Sequence, residues 1–122
     1  MRKKILITNN PMVIERYPDR ALKVDGTPLN VLQKAMEYVM NGYVLFCSPL
    51  PPNASLFKNP YRTLVLESKK SEEVKGSDLL LLQNASTKLF GYAKKWEEVK
   101  PEVLKDYAFL DFDFLSNLLG SR

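Results

Sequence analysis

Short apolar runs alternate along this chain with longer segments in which apolar residues recur at helical spacing. Runs rich in aliphatic, β-branched and aromatic residues predict strands at residues 4–8, 21–25, 43–47 and 61–67. The first run ends at Asn-Asn-Pro and the second at Asp-Gly, and both sequences are typical of turns. The pattern therefore indicates a domain in which strands and helices follow one another.

The clearest helix is predicted over residues 28–41. Thr27 is a suitable N-cap, Pro28 suits the first helical position, and Gly42 ends the helix. Five apolar residues recur on one side and are expected to pack against a sheet: Leu29, Leu32, Met36, Val39 and Met40. A shorter helix is predicted over residues 11–17, because proline often occupies the first position of a helix.

In the second half of the chain, Ser77 is expected to cap a helix that starts at Asp78. The buried side of this helix would carry Leu79, Leu82, Leu89, Ala93 and Trp96. The run 79–82 is short enough to form a strand instead, since periodicity cannot distinguish the two over so few residues. The alanine, leucine and lysine residues that follow favour the helix.

The C-terminal segment predicts a short helix, a strand and a second helix. Pro101 begins the first helix, and residues 107–110 form the last predicted strand. Asp111 or Asp113 is then expected to cap a terminal helix over residues 114–119. Two carboxylates at this spacing could also form an acid–base pair, but capping and interaction with the helix dipole are the favoured interpretation.

These elements predict a single α/β domain spanning residues 1–122. Its sheet is expected to be mainly parallel and flanked by helices, in a Rossmann-like layering with right-handed crossovers. The order of the strands does not follow from the pattern. A chain of 122 residues with 45% hydrophobic residues can bury a core without disulfides or metals.

Composition excludes several classes of function. The absence of histidine excludes Ser-His and Cys-His catalysis and histidine-ligated metals, and a single cysteine excludes cysteine-rich zinc sites. The five glycines are too far apart for a dinucleotide fingerprint or a phosphate-binding P-loop. Composition leaves open a hard metal held by carboxylates, but the acidic residues do not have the spacing of a calcium loop, and no metal or cofactor is predicted. Cys47 could be a nucleophile, but without a histidine base it is interpreted as a buried thiol.

Charge and hydropathy bear on location and partners. No apolar run approaches the length of a membrane span, about 18 residues, and the apolar stretch after the basic start is too short for a signal peptide, so a cytoplasmic protein is expected. Residues 1–61 carry eight Lys and Arg against four Asp and Glu, whereas residues 62–122 carry ten of each. This excess could attract an anion or nucleic acid, but the favoured interpretation is a solvated surface. Lys94 and Lys95 beside Trp96 resemble a nucleic-acid-binding cluster, yet the ring of Trp96 is expected to be buried.

Two polar loops follow predicted strands, one after residue 8 and the other after residue 47. If these strands are parallel, both loops lie at the same edge of the sheet, where open α/β sheets bind ligands. Lys58 and Arg62 are suited to a carboxylate or phosphate. The candidate ligand-binding residues are Thr8, Asn9, Asn10, Ser48, Asn53, Ser55, Lys58 and Arg62. The alternative is that these side chains only satisfy the backbone of their own loops.

Three segments of the chain resemble a known family. They are residues 5–11 (Ile-Leu-Ile-Thr-Asn-Asn-Pro), 45–50 (Leu-Phe-Cys-Ser-Pro-Leu) and 59–66 (Asn-Pro-Tyr-Arg-Thr-Leu-Val-Leu). They resemble the GrdX-type proteins, which are encoded alongside glycine reductase components in amino-acid-fermenting anaerobic bacteria. The resemblance implies an accessory, regulatory or assembly role, and it supplies no catalytic residues.

The leading hypothesis is an accessory protein linked to glycine reductase-type amino-acid metabolism. It would bind a small anionic metabolite or a protein of the glycine reductase system through the two polar loops. The first alternative is a small enzyme that acts on an anionic metabolite through loop residues near Cys47. The second is a weak nucleic-acid binder, which the scattered basic residues make the least favoured. No role at a membrane is expected.

Overall fold

The computed structural model describes residues 3–68 and 76–120, in which four strands and five α-helices are found. The strands are β1 Lys3–Thr8, β2 Ala21–Lys23, β3 Tyr43–Leu45 and β4 Thr63–Ser68. The helices are α1 Pro11–Arg16, α2 Pro28–Met40, α3 Gly76–Phe90, α4 Ala93–Glu97 and α5 Pro101–Leu119. A short 3₁₀ turn, Ala54–Leu56, lies in the loop between β3 and β4.

The four strands form one sheet in the order β2-β1-β4-β3. β1 is parallel to β2, and β4 is antiparallel to both β1 and β3. The prediction that residues 4–8, 43–47 and 61–67 share one sheet is confirmed, although β3 is shorter than expected. The predicted mainly parallel sheet is wrong, because two of the three strand pairs are antiparallel, and the Rossmann-like layering is not confirmed.

The direction of β4 follows from the segment that precedes it. A parallel neighbour of β3 would need a crossover connection, usually an α-helix. The segment from residue 46 to residue 62 contains no α-helix, only the 3₁₀ turn and the proline-rich loop. The chain therefore returns beside β3 in the opposite direction.

Helices cover both faces of the sheet, and the alternation of side chains along each strand supplies both cores. On one face, Ile7, Leu64 and Leu66 pack in a cluster with residues of α2, α3 and α4. On the other face, Leu6 and Val65 form a second apolar cluster with Val13 of α1, with Tyr17 and with Leu115 of α5. The described residues thus form an α/β fold in which a mixed sheet lies between two helical layers.

Helix α2 has the caps that its sequence predicts. Thr27 accepts a hydrogen bond from the backbone N–H of Leu29, and Asn30 accepts one from the N–H of Thr27. The side that faces the sheet is rotated from the predicted one and carries the buried residues Pro28, Val31, Leu32, Ala35 and Val39. Met40, which was expected in the core, is 63% exposed because it lies at the last position of the helix, beyond the sheet-facing side.

The C-terminal prediction is confirmed in that Pro101 begins a helix and residues 114–119 are helical, but the predicted strand and the separate terminal helix are wrong. Residues 107–110 lie inside α5 rather than in a strand, and Asp111 and Asp113 are also inside this 19-residue helix rather than caps of a separate one. An apolar run of four residues is compatible with a helix or a strand. Here no glycine or proline interrupts the chain between Pro101 and Gly120, so the helix continues.

The predicted helix after residue 77 is confirmed, but it is divided in two. α3 starts at Gly76, so Ser77 lies within it rather than capping it, and α3 ends at Phe90. Trp96 lies in α4, where it is buried and donates its indole Nε1–H to the carbonyl of Phe57 at 2.9 Å. Within residues 3–68 and 76–120, no helix has the length and apolar character needed to cross a membrane.

Candidate functional site

The two predicted polar loops meet at one edge of the sheet. β1 and β3 run in the same direction, so both end at this edge, and the antiparallel β4 begins there. The backbone N–H of Arg62 donates to Oδ1 of Asn9 at 2.8 Å. Its guanidinium donates to the carbonyls of Ser48 at 2.8 Å and Pro49 at 3.1 Å. Arg62 therefore joins the loop after β1 to the loop after β3.

Asn9 connects three segments with its side chain alone. Its Nδ2 donates to the carbonyls of Gly26 and Pro60, at 2.9 and 2.8 Å, while its Oδ1 accepts from Arg62. A side-chain amide has two N–H donors, and both are used here within the protein. In this structure Asn9 fastens loops to one another.

Beneath these loops lies a buried polar cluster centred on Asp111 of α5. Oδ2 of Asp111 accepts from the Thr63 hydroxyl at 2.7 Å and from Nδ2 of Asn10 at 2.9 Å. Oδ1 lies 3.6 Å from Nη1 of Arg62, in an ion pair whose side chains are only 5% and 3% exposed. The carboxylate is thus surrounded by one cation and two neutral donors.

Each hydrogen bond in this cluster has a defined donor and acceptor. A carboxylate oxygen only accepts, so the Thr63 hydroxyl must donate to Asp111. The Thr8 hydroxyl, 2.7 Å from that of Thr63, must then donate to Thr63, and Thr8 in turn accepts from the backbone N–H of Asn10 at 2.9 Å. A chain of hydrogen bonds in which each donor polarises the next concentrates positive potential at Asp111.

Two asparagines hold the backbone of α5. Asn10 donates to the carbonyl of Ala108 at 2.8 Å, and Asn59 donates to the carbonyl of Tyr107 at 2.9 Å. The carbonyl oxygens of the same two side chains accept backbone N–H groups close by, so that Asn10 caps α1 and Asn59 turns the chain before β4. The polar edge of the sheet is therefore also the place where α5 is attached.

The predicted site residues divide into two groups. Five of them meet at the sheet edge, and the protein itself supplies hydrogen-bond partners for them: Thr8, Asn9, Asn10, Ser48 and Arg62. Asn53, Ser55 and Lys58 are exposed farther along the loop, where Asn53 accepts from the N–H of Ser55. No buried side-chain nitrogen or oxygen lacks a partner in the described ranges. Ligand binding by these eight residues stays a prediction.

A narrow cleft lies between the proline-rich loop and α5, directly above the buried cluster. Its free space is about 270 Å³, including the part open to solvent. Arg62 and Asp111 lie among its lining residues, and most of the others are apolar: Pro51, Pro52, Leu56, Tyr61, Leu110 and Phe114, with Asn59. The cleft thus combines an apolar wall with an ion pair.

The candidate residues include neither Thr63 nor Asn59, although Asn59 supplies an amide in the polar segment 48–62, and the sequence assigned Asp111 or Asp113 to a helix cap. A usable signal for Asn59 is the Asn-Pro pair just before a strand, which repeats the Asn-Pro pair after β1. Nothing local identifies Asp111, because its partners Asn10 and Thr63 are 101 and 48 residues away in the chain.

Cys47 lies just after the end of β3, at the edge of the core. Burial raises the pKa of its thiol, and the opposing influence of nearby Arg62 is smaller. Its Sγ accepts the backbone N–H of Val65 at 3.3 Å. A thiol held in its neutral form is a poor nucleophile, so the half-buried Cys47 is interpreted as a packing residue rather than a nucleophile.

We expect the folded protein to react slowly with thiol reagents at pH 8, at least about tenfold more slowly than the chain in denaturant. The raised pKa of Cys47 in the folded state also makes stability depend on pH. The stabilising contribution of the neutral thiol is complete below the pKa of the unfolded thiol, about 8.5, and is lost as the pH rises through the pKa of the folded one. Absorbance assays of thiol modification with and without denaturant measure the first effect. Equal rates in the two conditions would show that the thiol is accessible.

Comparison with known proteins identifies a family that this chain matches. The family model described as GrdX-like protein matches residues 5–120, nearly the whole chain. No curated protein and no solved structure matches the chain.

Proposed function

Because the chain belongs to the GrdX-like family, we propose that it is a non-catalytic accessory protein of the glycine reductase system that acts by binding a protein partner. The family supports the link to glycine reductase. The choice of a protein partner rests on the surface beside the candidate site, where apolar side chains are exposed and polar groups have internal partners. We propose that the cleft and the adjoining side of α5 form the binding surface.

One observation carries this proposal. Leu110, Phe114 and Leu118 recur every fourth residue along α5 and are 44%, 38% and 37% exposed. Residues at this spacing lie on one side of a helix, so they form a continuous apolar stripe. Pro51 and Pro52 face two of them across the cleft. Apolar stripes beside a rigid pocket are typical of surfaces that bind the apolar side chains of a partner.

The alternatives have less support. An enzyme acting through the loop residues would need free polar groups at the sheet edge, but these groups bond to the protein. A nucleic-acid binder would need an exposed aromatic ring beside Lys94 and Lys95, and Trp96 is buried with its N–H bonded to Phe57.

Binding to purified glycine reductase components, measured by calorimetry or biolayer interferometry, tests the proposal. We expect Phe114→Ala to raise the Kd for the partner component at least about tenfold, because aromatic anchors dominate interfaces of this kind. Phe109→Ala is the matched control, since Phe109 is exposed on the same helix but does not line the cleft. The proposal fails if no component binds the wild-type protein, or if both variants bind as the wild type does.

A further inference from the structure

We propose that Asn10, Arg62 and Thr63 form a binding site for a small monocarboxylate, which the chain itself fills with Asp111. The Asp111 carboxylate of α5 occupies this site in the folded protein, and a free carboxylate of the size of formate or acetate binds at the same place when the Asp111 side chain leaves it. The inference does not depend on the proposed protein partner, because it concerns the buried cluster and not the outer surface of α5.

Each donor side chain of this site has an orienting contact outside α5, and Nδ2 of Asn10 also donates to the carbonyl of Ala108 in α5. The Arg62 guanidinium is oriented by the carbonyls of Ser48 and Pro49. The Thr63 hydroxyl is oriented by that of Thr8. Asn10 is anchored by its Oδ1, which accepts the N–H of Met12. A set of donors that keeps its geometry without the occupant is preorganised, which is the condition for binding a free ligand in its place.

The arrangement matches a carboxylate in charge and in shape. Two neutral donors meet one oxygen of Asp111, and the guanidinium lies beside the other. One buried cation neutralises one negative charge, whereas a doubly charged phosphate would leave an uncompensated charge in the interior. The space is also limited, because both charged side chains are almost fully enclosed. The ligand class is therefore a small monoanion with two coplanar oxygens.

The Asp111 side chain fills the site and at the same time attaches α5 to the edge of the sheet. Asn10 bonds at the same time to the Asp111 carboxylate and to the carbonyl of Ala108, one turn earlier in α5. The apolar side chains of α5 are buried to different extents. Leu115 lies in the core, whereas the stripe Leu110, Phe114 and Leu118 is partly exposed. A free carboxylate and the side chain of Asp111 consequently compete for the same donors, and the site opens when Asp111 leaves it.

Chemical rescue of full-length variants tests the inference. Asp111→Ala removes one carboxylate group and leaves space for formate, while Asp111→Gly leaves space for acetate as well. We expect sodium formate to raise the Tm of Asp111→Ala above its value in sodium chloride of equal ionic strength, by about 5–6 °C at ten times the formate Kd. Acetate should raise the Tm of Asp111→Gly and have a smaller effect on Asp111→Ala, because its methyl group meets the alanine Cβ.

Two controls separate the site from general salt effects. Asp106→Ala removes an exposed carboxylate from the same helix, and neither this variant nor the wild type should respond to formate beyond chloride. Thr63→Val in the Asp111→Ala background removes one donor and should reduce the rescue. Equal shifts in all variants, or no difference between formate and chloride for Asp111→Ala, would overturn the proposal.

The test remains decisive if Asp111→Ala does not fold in chloride. The far-ultraviolet circular dichroism signal of that variant is then followed during titration with formate and with chloride. Recovery of the helical signal in formate alone supports the site. Absence of recovery at formate concentrations up to those at which the wild type remains folded overturns it.

Discussion

Arg62→Ala is expected to lower the free energy of unfolding by about 3–5 kcal/mol, because it leaves the buried Asp111 carboxylate without its cation. The same change removes two hydrogen bonds to the carbonyls of Ser48 and Pro49, which fasten the loop after β3. Urea denaturation followed by circular dichroism measures the loss. The effect should exceed that of any exposed charge on this chain.

Lys58→Ala is the matched control for Arg62→Ala. Lys58 belongs to the same loop and was predicted as part of the same site, but it is exposed, so its replacement should change stability by no more than about 0.5 kcal/mol. A double variant, Arg62→Ala with Asp111→Ala, should lose less than the sum of the two single losses, since both members of the pair are gone. If Arg62→Ala proved as mild as Lys58→Ala, the buried ion pair would not hold the fold.

Leu32→Ala should destabilise the protein by about 2–5 kcal/mol. Leu32 is fully buried on the side of α2 that faces the sheet, in the cluster that also contains Ile7 and Leu64. The cost combines the lost transfer of apolar surface from water with the cavity that remains in a close-packed core.

Met40→Ala is the control for the rotated face of α2. Met40 was predicted to lie on the same buried side, but it is 63% exposed, so its replacement should have a small effect. Thermal melts of the two variants measure the difference. Comparable losses at both positions would show that the sheet-facing side of α2 extends to Met40.

The cleft and the carboxylate site are adjacent because one turn of α5 serves both. Leu110 and Phe114 line the cleft from either side of Asp111 in the sequence. A partner that binds the outward side of α5 would contact the same helix whose Asp111 side chain fills the buried site. The two proposals are nevertheless tested separately, one by binding of a protein and the other by rescue with formate.

Local sequence determined the strands and helix α2. An apolar run bounded by turn residues needs only its own composition to favour a strand, and Thr27 with Pro28 begins a helix through contacts within one turn. The prediction that the loops after residues 8 and 47 meet at one edge also followed from the sequence, because it required only that β1 and β3 be parallel.

Only the tertiary structure decided the role of Asp111. Residues 107–110 alone could form a strand or a helix, and one helix continues through them because no glycine or proline interrupts the chain between Pro101 and Gly120. An aspartate in the middle of a helix is a stable buried group only if donors from elsewhere reach it, and here they come from residues 10, 62 and 63. Such long-range pairing leaves no periodic trace in the sequence, so the chain's polar edge could be predicted while the carboxylate that fills it could not.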